Sequence, residues 1–263
     1  MVSHNRADRL RRCLESLEHS EDRSTFEVIV VDNGSTDGSP KLESEFSKVR
    51  FFRLPKNFGL TKALNIGVRA AEAEYILLLH EDTELSAGTV RELAAALDAD
   101  SSAAGVCPLL VDSEDRPGPQ FGVLPPDGEW QPAQPSGNQP SPVLYPRGAA
   151  LMVRAFVMRS LRQIDERYGQ FGSDADLAAQ IRRASKKILL VPTARVKHYG
   201  RDWDSALRNA DFLLGRAVFR GKYEGSFAGI LARVTTFIQL LVSFRLSELR
   251  YFSAGQKIDG SQE

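Results

Sequence analysis

Three carboxylate clusters, two closing short apolar runs and one opening a helical stretch, are the residues of this chain best suited to chemistry. Tyr75 to Leu79 is apolar and stops at His80, Glu81 and Asp82. Four to eight apolar residues bounded by polar ones read as a buried strand. Carboxylates at the carboxyl end of such a strand lie where open α/β sheets hold ligands. Hard divalent cations take carboxylate oxygens and share them with substrate phosphates. This strand end is therefore either a metal–phosphate site or a solvated acidic loop. Phe26 to Val31 is a second such run, closing on Asp32-Asn33-Gly34-Ser35-Thr36-Asp37-Gly38-Ser39. Asn-Gly and Asp-Gly are turn signals. Asp32 can accept hydrogen bonds from a ribose or base edge, or bond its own turn. The third cluster is Gly172-Ser173-Asp174-Ala175-Asp176-Leu177, just before a helix whose apolar face carries Leu177 and Ile181. Either carboxylate suits a general base, and Ser173 or Asp174 equally suits a helix cap.

The elements that must position these residues alternate. Leu10, Cys13, Leu14 and Leu17 predict a first helix over 9–17, followed by the strand at 26–31. Ser39 as N-cap and Pro40 at the first helical position predict a weaker helix over 40–47. A strand at 49–54, a helix over 61–73 after the Asn57–Gly59 turn, the strand at 75–79, a helix over 87–98 and a strand at 105–111 follow. Strands alternating with helices imply an α/β fold with a largely parallel, doubly wound sheet. Most of the chain's 13 prolines fall within 112–146. That stretch, carrying Phe121 and Trp130, predicts a long binding loop or short hairpin, or an insertion with no binding role. Gly148 to Ala150 then permit close backbone approach to a ligand, or simply tight packing.

These segments together resemble the family 2 glycosyltransferases, inverting enzymes with a GT-A fold that use nucleotide-sugars. The resemblance rests on residues 30–39, on Asn57-Phe58-Gly59-Leu60 with Ala63-Leu64-Asn65-Ile66-Gly67, on His80-Glu81-Asp82 in place of an Asp-x-Asp motif, and on Phe171 to Arg182. It runs from residue 2 to about 203 and is nearest the rhamnosyltransferase-like branch that builds bacterial surface polysaccharide. It implies that Asp174 is the catalytic base, with Asp176 orienting the loop or meeting the acceptor. It implies substrate contacts from Asn5, Asp32, Asn57, Gly59, Asn65, Gly148 and Ala149. Asp82, His80 and His198 would hold Mg²⁺ or Mn²⁺, with Lys197 and Arg201 offsetting phosphate charge or forming a solvated basic edge. Ser173 stands where the family has Glu, and His80 where it has an acidic residue or Asn. The family's first strand is here reduced to Met1 and Val2, so a shortened strand is expected to weaken the donor half.

The implied partners are a dTDP- or UDP-linked sugar and a glycan or lipid-linked acceptor. The enzyme rival, a nucleotidyltransferase, lacks its expected basic Gly-rich loop near the amino terminus; a non-catalytic nucleotide-sugar or glycan binding protein derived from a transferase is the alternative of another class. With 34 basic and 34 acidic residues the chain is neutral, so no nucleic-acid surface is expected. Cys13 and Cys107 are expected to be buried thiols, not a bridge. Two domains are expected, 1–203 and a helical extension at 204–263. Its segment 227–244 is apolar but interrupted by Arg233 and Gln239, too short and charged to span a bilayer. It reads as an interfacial helix or a homodimer contact. The expected location is cytoplasmic, peripheral on the inner membrane face if the helix binds lipid.

Overall fold

A computed structural model describes residues 1–135, 137–161, 163–200 and 205–258. The strands are β1 (Val2–Ser3), β2 (Val28–Asp32), β3 (Val49–Arg53), β4 (Tyr75–Leu79), β5 (Thr83–Leu85), β6 (Ala103–Val111), β7 (Pro119–Phe121), β8 (Gln131–Pro132), β9 (Ser141–Val143), β10 (Ala150–Arg154) and β11 (Lys187–His198). The helices are α1 (Ala7–Glu18), α2 (Leu42–Glu45), α3 (Leu60–Ala70), α4 (Thr89–Ala99), α5 (Ala155–Ser160), α6 (Ser173–Arg183), α7 (Ser205–Tyr223), α8 (Ser226–Val242) and α9 (Leu246–Ser253). Strand β4 has the bounds its apolar run dictates. Around Ser39 the outcome differs from a Ser-capped helix. Asp37 Oδ1 accepts the Ser39 N–H at 2.8 Å, and only a short 3-10 turn precedes α2.

The amino half is parallel, in the order β1-β2-β3. A parallel bridge between Val2 and His80 joins it to the second sheet, β4-β10-β6-β11-β5, where β9 also pairs with β11. This second sheet is mixed. β10 runs antiparallel to both β4 and β6, while β6 and β11 are parallel. The reversal follows from the 112–146 stretch. It returns the chain to the sheet by a hairpin (β7, β8) and the short β9, without a crossover helix, and only a helical crossover would have kept β10 parallel. β6 is the central strand, and all nine of its residues are buried.

Two apolar clusters sandwich the sheet. One joins α1 and α4 through Leu10, Leu14, Leu93 and Leu97, all fully buried. The other joins α5 and α6 through Met158, Leu177 and Ile181, and Phe219 of α7 enters it. Each such side chain contributes about 1.5–3 kcal/mol by leaving water. Cys13 and Cys107 are buried free thiols, as expected. The carboxyl-terminal helices pack on one another through Leu214, Leu240 and Phe252. The expected domain boundary at 203/204 and Arg201 lie outside the described residues.

Candidate active site

A cleft of about 770 Å³ opens at the carboxyl ends of the central strands. On one wall β4 delivers His80 and Asp82. β5 follows at once and runs antiparallel to the end of β11, with His198 opposite Thr83. That register carries His198 across 116 residues of sequence to Asp82. His198 Nε2 lies 3.6 Å from Asp82 Oδ1, and His80 Nδ1 lies 3.9 Å from the same oxygen. The three ligand atoms fall within 4.8 Å of one another. Asp82 is buried, and its Oδ1 has no hydrogen-bond partner. A buried carboxylate oxygen without a donor costs free energy unless a cation meets it. Burial pushes the His198 imidazolium down to about 4, against the pull of Asp82. The ring is therefore neutral near neutral pH and keeps a lone pair to give. Two imidazoles and one carboxylate suit Mn²⁺ or a similar divalent ion, so the residues fit the implied metal. Glu81 is buried beside them.

Asp174 also lines the cleft, from the first turn of α6. The helix starts at Gly172, whose φ of +97° is left-handed, and no side chain caps it. Neither Ser173 nor Asp174 is its cap. A Cβ at Gly172 would fall 2.8 Å from the Tyr168 ring, so the turn demands glycine. Asp174 Oδ1 accepts the Tyr145 hydroxyl at 2.9 Å, and Oδ2 accepts the Gly148 N–H at 3.2 Å. Burial, and next Asp174 itself, push the Tyr145 phenol well up. Tyr145 thus stays protonated and donates. A Cβ on Gly148 would sit 3.0 Å from the Asp174 Cβ, so the backbone approaches the carboxylate only because this residue is glycine.

Of the other expected contacts, Asn5, Asn57, Gly59 and Gly148 line the cleft. Asn5 Oδ1 holds the Thr36 N–H at 2.7 Å. Buried Asn33 organises the turn that carries Asn57 and Gly59. Its Nδ2 donates to Asn57 Oδ1 at 2.8 Å, and its Oδ1 accepts the Phe58 N–H at 2.9 Å. Asp32, Asn65, Ala149 and Asp176 are not brought to the cleft wall. Asp32 is buried and accepts the Ser35 N–H at 3.0 Å, within its own turn. Asn65 clips Ile164 by paired backbone bonds of 2.9 Å. Ala149 is sealed in the sheet. Asp176 turns away from the cleft, because Lys222 lies 2.8 Å from it and Tyr223 donates to it at 2.8 Å.

Trp130 stands in the proline-rich loop expected to bind, while Tyr145, Arg208 and Phe212, which also line the cleft, escaped the sequence reading. Trp130 and Tyr145 pack at 5.0 Å between ring centroids, and Arg147 lies over Trp130 at 5.3 Å. Arg208 and Phe212 of α7 close the same side. Buried Asp211 accepts the N–H groups of Gln170 and Phe171 at 2.9 and 3.1 Å. It thereby ties α7 to the loop that leads into Asp174. Burial pushes its carboxyl up to about 7, although those two bonds pull the other way. The signal for these residues in sequence is weak. Aromatic and basic residues in a proline-rich loop have no period, and α7 places Arg208 and Asp211 only through tertiary packing.

Comparison with known proteins agrees with this geometry. The family model described as glycosyl transferase family 2 matches residues 1–156. An N-acetylglucosaminyl-diphospho-decaprenol L-rhamnosyltransferase of Mycobacterium tuberculosis is 26% identical over 228 residues, covering 75% of this chain and 74% of the relative. A crystal structure of GalNAc-T7 with UDP, GalNAc and Mn²⁺ superposes with a TM-score of 0.65 at 19% identity, over 76% of this chain and 42% of that one. S. aureus TarS in complex with UDP-GlcNAc gives 0.61 at 17% identity, over 84% and 65%. The chain thus spans less than two thirds of either solved structure. These likenesses show the fold, the GT-A arrangement expected from sequence.

Proposed function

We propose, from the premise that this chain belongs to glycosyl transferase family 2, that it moves a sugar with inversion from a nucleoside diphosphate donor to an acceptor hydroxyl. The observation that carries the reading is one cleft lined both by a His80–Asp82–His198 triad and by a held carboxylate, Asp174. Tyr145 and the Gly148 N–H orient the Asp174 carboxylate so that it can take the acceptor proton. His80, Asp82 and His198 would hold Mn²⁺ or Mg²⁺, which supplies positive charge where the diphosphate departs. The turn braced by Asn33, with Asn5, Asn57 and Gly59, would receive the nucleoside.

The mycobacterial relative favours a rhamnosyl donor, hence a dTDP-linked sugar, with a UDP-linked sugar as the second choice, and an acceptor built on a lipid diphosphate for surface polysaccharide. The test is nucleoside diphosphate release from a panel of dTDP-, UDP- and GDP-sugars with Mn²⁺, followed by NMR of the product's anomeric centre. Turnover of one donor with an inverted product is expected. A retained configuration would overturn the inverting reading, and silence across the panel the transferase one.

A second reading concerns location. Phe227, Ile230, Leu231, Val234, Phe237, Ile238 and Leu241 recur at helical spacing on α8 and are all exposed, Phe227 by 77%. Gly229, Ala232 and Leu240 are the buried side. The helix holds no acidic residue, and its single charge is the exposed Arg233. Among the described residues no helix is long and apolar enough to cross a membrane. Such a face suits an anionic bilayer surface. The chain is expected to sediment with phosphatidylglycerol-rich vesicles and much less with phosphatidylcholine alone. Ile230→Glu with Ile238→Glu should abolish that binding. A dimer in light scattering that the same pair dissociates, without vesicle binding, would refute it.

A further inference from the structure

Besides the metal triad, the cleft contains a second concentration of positive charge. Arg147 is half-buried and stacked on Trp130, and Arg208 enters from α7 over the Phe171 ring at 5.9 Å. Both side chains line the cleft that Asp82 and Asp174 share. Arg147 is desolvated, and Arg208 repels it while Asp174 and Asp82 attract it. All four groups therefore lie within electrostatic reach. A guanidinium carries five N–H donors and stays charged in proteins. Among the described residues, the Arg147 side chain has one hydrogen bond, a long 3.4 Å contact from Nη1 to the Pro119 carbonyl. Neither arginine has an ion-pair partner there, because Asp174 is engaged by Tyr145 and the Gly148 N–H, and Asp82 faces the two imidazoles. A half-buried guanidinium held on an aromatic face with nearly all its donors unused, and a second guanidinium lining the same cleft, offer several charge-assisted donors to an anion that enters it.

We propose that Arg147 and Arg208 form a second anion site in this cleft, one that takes a phosphate or diphosphate without a metal. The inference rests on the transferase reading for its biological ligand, and on the two guanidiniums alone for its chemistry. Two sources carry that group, the departing donor diphosphate and a phosphate on the acceptor. Arg147 stands one residue from Gly148, whose N–H holds Asp174.

The test is calorimetric titration of inorganic pyrophosphate into EDTA-treated full chain. Wild type should bind, and Asp82→Ala should bind as well as wild type. Arg147→Gln and Arg208→Gln should each weaken binding by about tenfold, since charge-assisted bonds are the strong ones. The double variant should lose it, and Arg147→Lys should recover part. Arg208 is exposed, so its variant is expected to fold even if the Arg147 variants do not. The same variants titrated with UDP and dTDP plus Mn²⁺ separate the sources. Weakened nucleotide binding assigns the site to the donor diphosphate, and unchanged nucleotide binding assigns it to the acceptor. Absence of metal-free pyrophosphate binding by wild type, or equal binding by the double variant, overturns the proposal. A failure of the transferase reading would show separately, as loss of Mn²⁺-dependent nucleotide binding or turnover with the pyrophosphate result intact.

Discussion

Asp174→Asn is expected to lower sugar transfer by about a thousandfold, within the range a positioned general base supplies, with Mn²⁺-dependent nucleotide binding changed less than about twofold on the same grounds. The argument is geometric. Asn keeps the size of the side chain and one carbonyl oxygen, so it can still accept from some of the three donors that hold the carboxylate, the Tyr145 hydroxyl and the N–H groups of Gly148 and Ala175. What it loses is the ability to take a proton. The metal triad comes from the β4–β5 turn and the end of β11 and does not include this side chain. A variant with normal transfer would remove Asp174 from the chemistry. Loss of nucleotide binding along with transfer would mean that Asp174 shapes the donor site instead. Tyr145→Phe supplies a graded comparison. It deletes one of the three bonds to the carboxylate while leaving the carboxylate itself, and a loss of about tenfold is expected from a single misdirected hydrogen bond.

Asp82→Asn is expected to raise the Kd for the nucleoside diphosphate in Mn²⁺ at least about a hundredfold, which corresponds to roughly 2.8 kcal/mol. Asp82 is the group both imidazoles face, at 3.6 and 3.9 Å. An amide oxygen is a poor substitute for a carboxylate on a hard cation. The same substitution should leave the metal-free protein no less stable, and is expected to raise its Tm. The wild-type Oδ1 is buried without a donor, an arrangement that opposes folding until a cation arrives. Affinity and stability therefore move in opposite directions. Calorimetry of nucleotide binding with and without Mn²⁺, beside a thermal melt in EDTA, reads both. A fall in metal-free Tm would show that Asp82 is a structural carboxylate. Nucleotide binding equal to wild type would remove the triad from the donor site.

Several features were legible because their causes are local. The apolar run 75–79 and its abrupt polar end specify both β4 and the place of Asp82, since a strand's end is set by where burial stops paying off in apolar side chains. Gly172 stands in the turn where a left-handed residue starts α6, and the helix begins earlier than its apolar face implied, at Ser173, so Asp174 falls inside the first turn rather than before it. His198 was reached only through the order of motifs. No local rule says that β11 ends opposite Thr83; that register is a product of sheet pairing. Asn65 and Asp176 show the reverse case. Both stand in motif-like positions, yet each is drawn into a structural bond, Asn65 by Ile164 and Asp176 by Lys222 and Tyr223. A side chain's spacing does not reveal which distant partner will claim it.

From its sequence by itself, this protein had determined an α/β architecture, two strand ends rich in carboxylates, a helix start carrying two more and an apolar helix near the carboxyl end. These follow from periodicity, turn chemistry and the place where hydrophobic runs stop, all properties of neighbours along the chain. Only the tertiary structure decided that the second sheet is mixed, that His198 meets Asp82 and that Tyr145 and Gly148 hold Asp174. It also decided that α7 ties down the loop before α6 through Asp211 and α6 itself through Lys222. These contacts join residues tens to more than a hundred positions apart. They depend on strand register and on which face of a helix meets which neighbour, and no pattern of adjacent residues records either.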